Sequence, residues 1–163
     1  CLSRGLGDVY KRQQNIQFIF HTETENLLCW FDGRQLRKVL TNLLSNAFKH
    51  TPEKGKIELS ITDKGDSIYI KVIDSGKGIP PKALPFIFDR FHKSDRSRSL
   101  DRDGVGLGLY LVKSILDAHG EDIAVTSRDG VTEFVFTLTL AKPAPKPTAK
   151  PESTGRRGGR KSS

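Results

Sequence analysis

The spacing of hydrophobic positions changes along this chain. Between residues 36 and 47, Leu36, Val39, Leu40, Leu43, Leu44 and Ala47 recur every three or four positions, which draws one apolar stripe on a helix. Asp32 stands before the stripe with Gln35 three residues on, a capping-box pattern. Thr51-Pro52 closes it, because proline disfavours helical backbone at the residue before it. KIELSIT (56–62) and SIYIKVID (67–74) instead alternate with period two, and Lys64-Gly65-Asp66 between them makes a hairpin. NIQFIF (15–20) and NLLCWF (26–31) read as short strands. Residues 75–103 are mostly loop, and a second helix then carries Leu109, Val112, Ile115 and Leu116 on one face. DIAVTS (122–127) and TEFVFTLTL (132–140) make a second hairpin through Arg128-Asp129-Gly130. The pattern predicts an α/β fold, a two-layer sandwich in which a mixed sheet of about five strands carries helices on one face.

Composition adds boundaries. Residues 142–163 hold seven Lys/Arg against one Glu, so this proline-rich basic tail carries +6 of the net +8 and leaves +2 to residues 1–141. A tail of that composition cannot bury a core and is expected to be disordered, and residues 1–14 have no clear period. The domain is therefore expected over 15–141, with both ends dispensable for folding. Its near-neutral charge argues against a nucleic-acid surface, and no apolar run spans a bilayer. Cys1 and Cys29 have no metal-ligand spacing, and Cys29 reads as a buried thiol. With no Met anywhere, the sequence reads as a fragment.

Four segments concentrate chemistry. In TNLLSNAFKH (41–50), Asn42, Asn46 and Lys49 fall at i, i+4 and i+7, so amide oxygens and an ammonium share one ridge beside His50. Such a ridge suits a metal ion and the phosphates it bridges, although any solvated helix face also looks like this. DSGKGIP (74–80) puts a carboxylate at a strand end with Gly76 and Gly78 after it, either an approach to a flat ligand or a plain turn. FIFDRF (86–91) is rich in Phe. DGVGLGL (103–109) places Gly104, Gly106 and Gly108 at the start of a helix, where each costs about 1 kcal/mol relative to alanine in a helix interior. A helix N-terminus with bare backbone is an anion site. The spacing matches neither a P-loop nor a dinucleotide fingerprint.

In this order, NLLSNAFKHT, DSGKGI, FIFDRF and GVGLGL resemble the N, G1, F and G2 boxes of the ATP-binding catalytic domain of sensor histidine kinases. These kinases belong to the superfamily of gyrase, Hsp90, histidine kinases and MutL. The resemblance covers about residues 15–140 and implies a Bergerat-type sandwich that binds Mg²⁺ and ATP. By the same resemblance Asn46 coordinates Mg²⁺, with Asn42 on the same wall, and Lys49 and His50 contact the phosphates. Asp74 accepts from the adenine amine, and Gly76, Gly78 and Ile79 make room for the ring. Phe88 and Phe91 anchor a lid (92–103), and Arg90 faces the phosphates. Gly104, Gly106 and Gly108, with Leu107 and Leu109 beside them, close over the nucleotide.

Hydrolytic members of the superfamily carry a glutamate base where this chain has Asn42, so the resemblance favours phosphoryl transfer over hydrolysis. Two departures stand out, Val105 for a usual threonine and Glu121 for a usual glycine, both expected beside the pocket. His21 (expected in a loop), His50, His92 and His119 all lack the context of a phospho-accepting histidine. The resemblance thus implies a cytoplasmic protein-histidine kinase fragment, a monomer in isolation, that does not autophosphorylate. Its partners would be a separate histidine-bearing hairpin and a response regulator. The alternatives are an ATP-binding regulatory module without transfer and a serine protein kinase of the anti-sigma-factor type.

Overall fold

The computed structural model describes residues 15–25, 27–90 and 107–141. Chain order gives β1 (Gln17–Thr22), α1 (Gly33–His50), β2 (Lys56–Asp63), β3 (Ser67–Asp74), a 3₁₀ turn (Leu84–Phe86), α2 (Gly108–Ala118), β4 (Ile123–Arg128) and β5 (Val131–Thr139). The strands form one sheet in the order β1-β2-β3-β5-β4, with β1 parallel to β2 and every other pair antiparallel. The fold is the α/β sandwich expected from the sequence.

Local chemistry explains the boundaries. The Asp32 carboxylate accepts hydrogen bonds from the backbone N–H groups of Arg34 and Gln35, satisfying two of the orphan donors that open α1. Lys49 and His50 lie in its last turn, where the Lys49 ammonium faces the negative end of the helix dipole. Arg128 pairs with Val131, so β4 and β5 are joined by Asp129-Gly130 alone, both at positive φ (52° and 74°). That is the two-residue turn whose twist matches a hairpin, and Asp-Gly is a residue pair that adopts it readily.

Alternation sorts the sheet's two faces. Ile57 of β2, Ile68, Ile70 and Val72 of β3 and Phe134, Phe136 and Leu138 of β5 are buried against Val39, Leu43, Leu44 and Ala47 of α1 and Val112 and Leu116 of α2. On the opposite face, Lys71 pairs with Glu133 at 3.6 Å and Lys56 with Glu58 at 3.4 Å, partly exposed ion pairs worth about 0–1 kcal/mol each. The two helices run antiparallel. His119, after the end of α2, stacks on Phe31 before α1 with ring centroids 3.8 Å apart. Its Nε2 accepts from the Asp32 N–H at 3.4 Å, which leaves Nδ1 protonated to donate to the Ile115 carbonyl at 2.7 Å.

Three expectations are corrected. Of the strand expected at 26–31, the described residues 27–31 do not form one: Cys29 makes an isolated bridge with Leu140. The β5 edge beyond β4 is already filled, since the Glu121 Oε1 accepts from the Thr139 N–H at 2.7 Å and Asp122 O from the Thr137 N–H at 3.1 Å. Glu121 therefore does not sit beside the pocket. It binds the end of β5 that pairs with Ser67, whereas Asp74 pairs with the other end at Thr132. Its Oε2 also accepts from the Thr137 hydroxyl at 2.8 Å, so this buried carboxylate substitutes for a strand partner. His21 lies on β1 opposite Ser60, not in a loop.

Phe136 is fully buried at the centre of this core. Phe136→Ala is expected to cost about 3–5 kcal/mol of unfolding free energy, measured by denaturant titration, and a loss below about 1 kcal/mol would contradict this packing.

Candidate functional site

The register of β3, β5 and the edge strand β4 places the polar end of the helix-facing side. Asp74 ends β3 opposite Thr132 of β5, and Thr132 lies opposite Ser127 of β4. The alternation that buries Ile70 and Val72 therefore also turns Asp74 inward, and it is only 3% exposed. Thr132 Oγ1 lies 3.1 Å from Ser127 Oγ, which in turn accepts the Ile79 N–H at 2.7 Å. Hydrogen bonds thus tie the loop after Asp74 to β4. Ser127 and Thr132 carry no motif of their own, and only strand pairing reveals them.

Asp74 Oδ1 accepts the Gly76 N–H at 2.9 Å. Burial pushes its carboxyl above the ordinary value of 3.8, and the Gly76 hydrogen bond pulls it partly back. Position 76 must be glycine on grounds of space: a Cβ there would come within 2.6 Å of both Asp74 Oδ1 and the His50 carbonyl oxygen. The same contact shows that the loop closes against the C-terminal end of α1.

The α1 wall continues from there. Asn42 donates through Nδ2 to the Lys38 carbonyl at 2.8 Å. Its Oδ1 faces the start of α2, 3.0 Å from where a Cβ on Gly108 would stand. Residues far apart in sequence are thereby adjacent. At about 1.5 Å rise per residue, Asn46, Lys49 and His50 extend along α1 from Asn42 to the Asp74 loop. Leu107 precedes α2 without a side-chain cap, and α2 has no acidic residue in its first turn. Its opening N–H groups therefore lie beside Asn42 with the positive end of the helix dipole behind them. Leu109 packs on the core.

Of the Phe-rich segment, Phe88 meets Phe134 edge to face with centroids 6.3 Å apart, which fixes it to the core. The Arg90 guanidinium lies over the Tyr110 ring of α2 at 6.0 Å. Phe91, the lid expected at 92–103, Gly104, Val105 and Gly106 lie outside the described residues. Among the described residues no three His, Cys, Asp or Glu side chains cluster as a metal site, and no helix is long and apolar enough to cross a membrane.

Residues 31–142 match the family model described as histidine kinase-, DNA gyrase B-, and HSP90-like ATPase, and the chain belongs to that family. Its similarity to individual proteins points to one branch. The sensor histidine kinase WalK of Bacillus subtilis (strain 168) is 38% identical over 130 residues, covering 78% of this chain and 21% of WalK. The catalytic domain of histidine kinase ThkA aligns with a TM-score of 0.72 at 32% identity, over 82% of this chain and 86% of that one. A structure of ThkA in complex with the response regulator protein TrrA aligns with a TM-score of 0.68 at 30% identity, over 83% of this chain and 37% of that one. Full-length ShkA in complex with AMPPNP gives 0.70 at 28% identity, over 86% of this chain and 29% of that one. The chain spans between 12 and 26% of the length of the first curated relatives, all of them sensor proteins or sensor histidine kinases.

A carboxyl with a raised folded pKa favours the protonated native state. Asp74's contribution to stability is then fully present below 3.8 and lost as pH rises through the raised value. Asp74→Asn removes that titration. In denaturant melts the native chain should lose stability relative to the variant between acidic and neutral pH, and a pH-independent difference would contradict the burial assigned to this carboxyl.

Proposed function

We propose that this domain binds Mg·ATP in the cleft between α1, the Asp74–Ile79 loop and the start of α2, and donates the γ-phosphoryl group to a histidine on a separate helical hairpin. The observation that carries the reading is the pairing of two chemistries in one cleft. A buried carboxylate, followed by a loop that the Ser127 hydroxyl holds to β4, lies at one end, and the N-terminus of a helix packed against an asparagine lies at the other.

Each residue then has a role. The Asp74 carboxylate accepts from the adenine exocyclic amine, with Gly76, Gly78 and Ile79 shaping the wall around the ring. Ser127 and Thr132 hold that wall and the loop in register. The Asn46 amide oxygen is the donor for Mg²⁺. With no acidic cluster among the described residues, one protein oxygen plus phosphate and water oxygens is a donor set that suits this hard cation. Bound there, Mg²⁺ would neutralise phosphate charge. In this reading Lys49, His50 and the N–H groups at Gly108 bind phosphate oxygens, and Arg90, beside α2, does the same. Gly104, Gly106, Leu107 and Leu109 complete the nucleotide contacts, and Phe88 with Phe91 anchors the segment between.

The reaction asks for position more than for protein acid–base chemistry. Asn42, lining the cleft, offers an amide and therefore cannot take a proton from water. Water is thus not activated, and the phosphoryl group is kept for an acceptor nitrogen in line with the leaving oxygen. A response regulator is the downstream acceptor this reading implies, and the complex of the similar ThkA with TrrA supports it.

Two experiments test the reading. By calorimetric titration, Asp74→Asn should weaken ATP binding by about 10- to 100-fold, the cost of losing a hydrogen bond to a charged acceptor. Unchanged affinity in a folded variant would contradict the base pocket. Incubated with labelled ATP, the chain alone should stay unlabelled and should label an added hairpin from its parent kinase with acid-labile phosphate. An acid-stable product would favour a serine acceptor, and stoichiometric labelling of the chain itself would overturn the division of labour.

A further inference from the structure

We infer that the outer face of the sheet, at the end remote from Asp74, is a docking surface for the proline- and lysine-rich segment that follows Ala141 in this same chain. The inference is independent of the nucleotide site. Three side chains define that surface. Cys29 and Leu140 form an antiparallel bridge and both pack on the core, so alternation turns Leu28 and Trp30 to the opposite face. There Leu28 is 79% and Trp30 77% exposed, more than any other large apolar side chain described. Tyr69 lies on the same face, opposite Thr137 and alternating with the buried Ile68 and Ile70. Both helices pack on the other side of the sheet.

The place where the chain leaves the sheet names the occupant. The Ala141 N–H donates to the Leu28 carbonyl at 2.7 Å, so the residue to which that segment is joined lies directly beside Leu28. Those residues are KPAPKPTAKP (142–151), with four prolines and three lysines. Pyrrolidine rings of extended proline-rich chain pack on aromatic faces, and a lysine ammonium is attracted to the face of an indole. Tethering replaces intrinsic affinity: with so short a connection the effective concentration at the patch is in the millimolar range, enough for weak contacts to hold the segment. The face is otherwise an unpaired aromatic patch on a folded domain.

Trp30 is the single tryptophan of the chain, so its fluorescence reports the patch directly. The test compares the full chain with a full-length variant carrying Pro143→Ser, Pro145→Ser and Pro147→Ser, matched by far-ultraviolet circular dichroism. Docking predicts that acrylamide quenches the native chain about two-fold less efficiently than the variant, with emission further to the blue, at every protein concentration. Equal quenching in the two proteins would overturn the inference. So would shielding of Trp30 that grows with protein concentration, because a second copy would then be the occupant. Shielding that appears only when an unrelated acidic protein is added would assign the face to an external partner and overturn it as well.

Discussion

The pairing of β3 with β5 is the constraint on which the rest of the structure depends. It sets Ile68, Ile70 and Val72 against Leu138, Phe136 and Phe134, and the same register carries Asp74 to Thr132. Core and cleft are thus consecutive stretches of one ladder. A slip of one residue would turn both the hydrophobic set and the carboxylate to the solvent face. The strand that builds the core also builds the site.

The cleft spends stability. Asp74 is buried at a position where its charge is costly, and its Gly76 hydrogen bond offsets only part of that cost. Gly108 begins α2 where a better helix former would stabilise it, beside an asparagine that leaves no room for a larger residue to settle easily. The opposite end of the domain is the reverse. His119 stacked on Phe31 and Glu121 bound along β5 fasten the C-terminal side of α2 to α1 and to the sheet. One end of α2 is held by packing, and the other opens beside Asn42 without a side-chain cap.

The helices and central strands were legible because their cause is local. The stripe from Leu36 to Ala47, the Asp32 cap and the Asp129-Gly130 turn all act within a few residues. Asp74 and the α1 asparagines were legible as chemistry because they stand at a strand end and on one helical ridge. What the sequence hid depends on partners far along the chain. The apolar run at 26–31 looks like a strand, but the β5 edge it would need is held by the Glu121 side chain and by Asp122. Ser127 and Thr132 look like ordinary strand residues until pairing sets them in line with Asp74. Glu121 itself looked like a substitution near the pocket, because chain proximity to α2 says nothing about which end of β5 it reaches.

The central claim is that a buried carboxylate at position 74 reads an amine on the base. The most direct measurement is the ratio of dissociation constants for ATP and inosine triphosphate, which differ at the base by replacement of that amine with an oxygen. A carboxylate that accepts from the amine should favour ATP by about 10- to 100-fold, since the oxygen would face it acceptor to acceptor. Equal affinities for the two nucleotides would contradict the account.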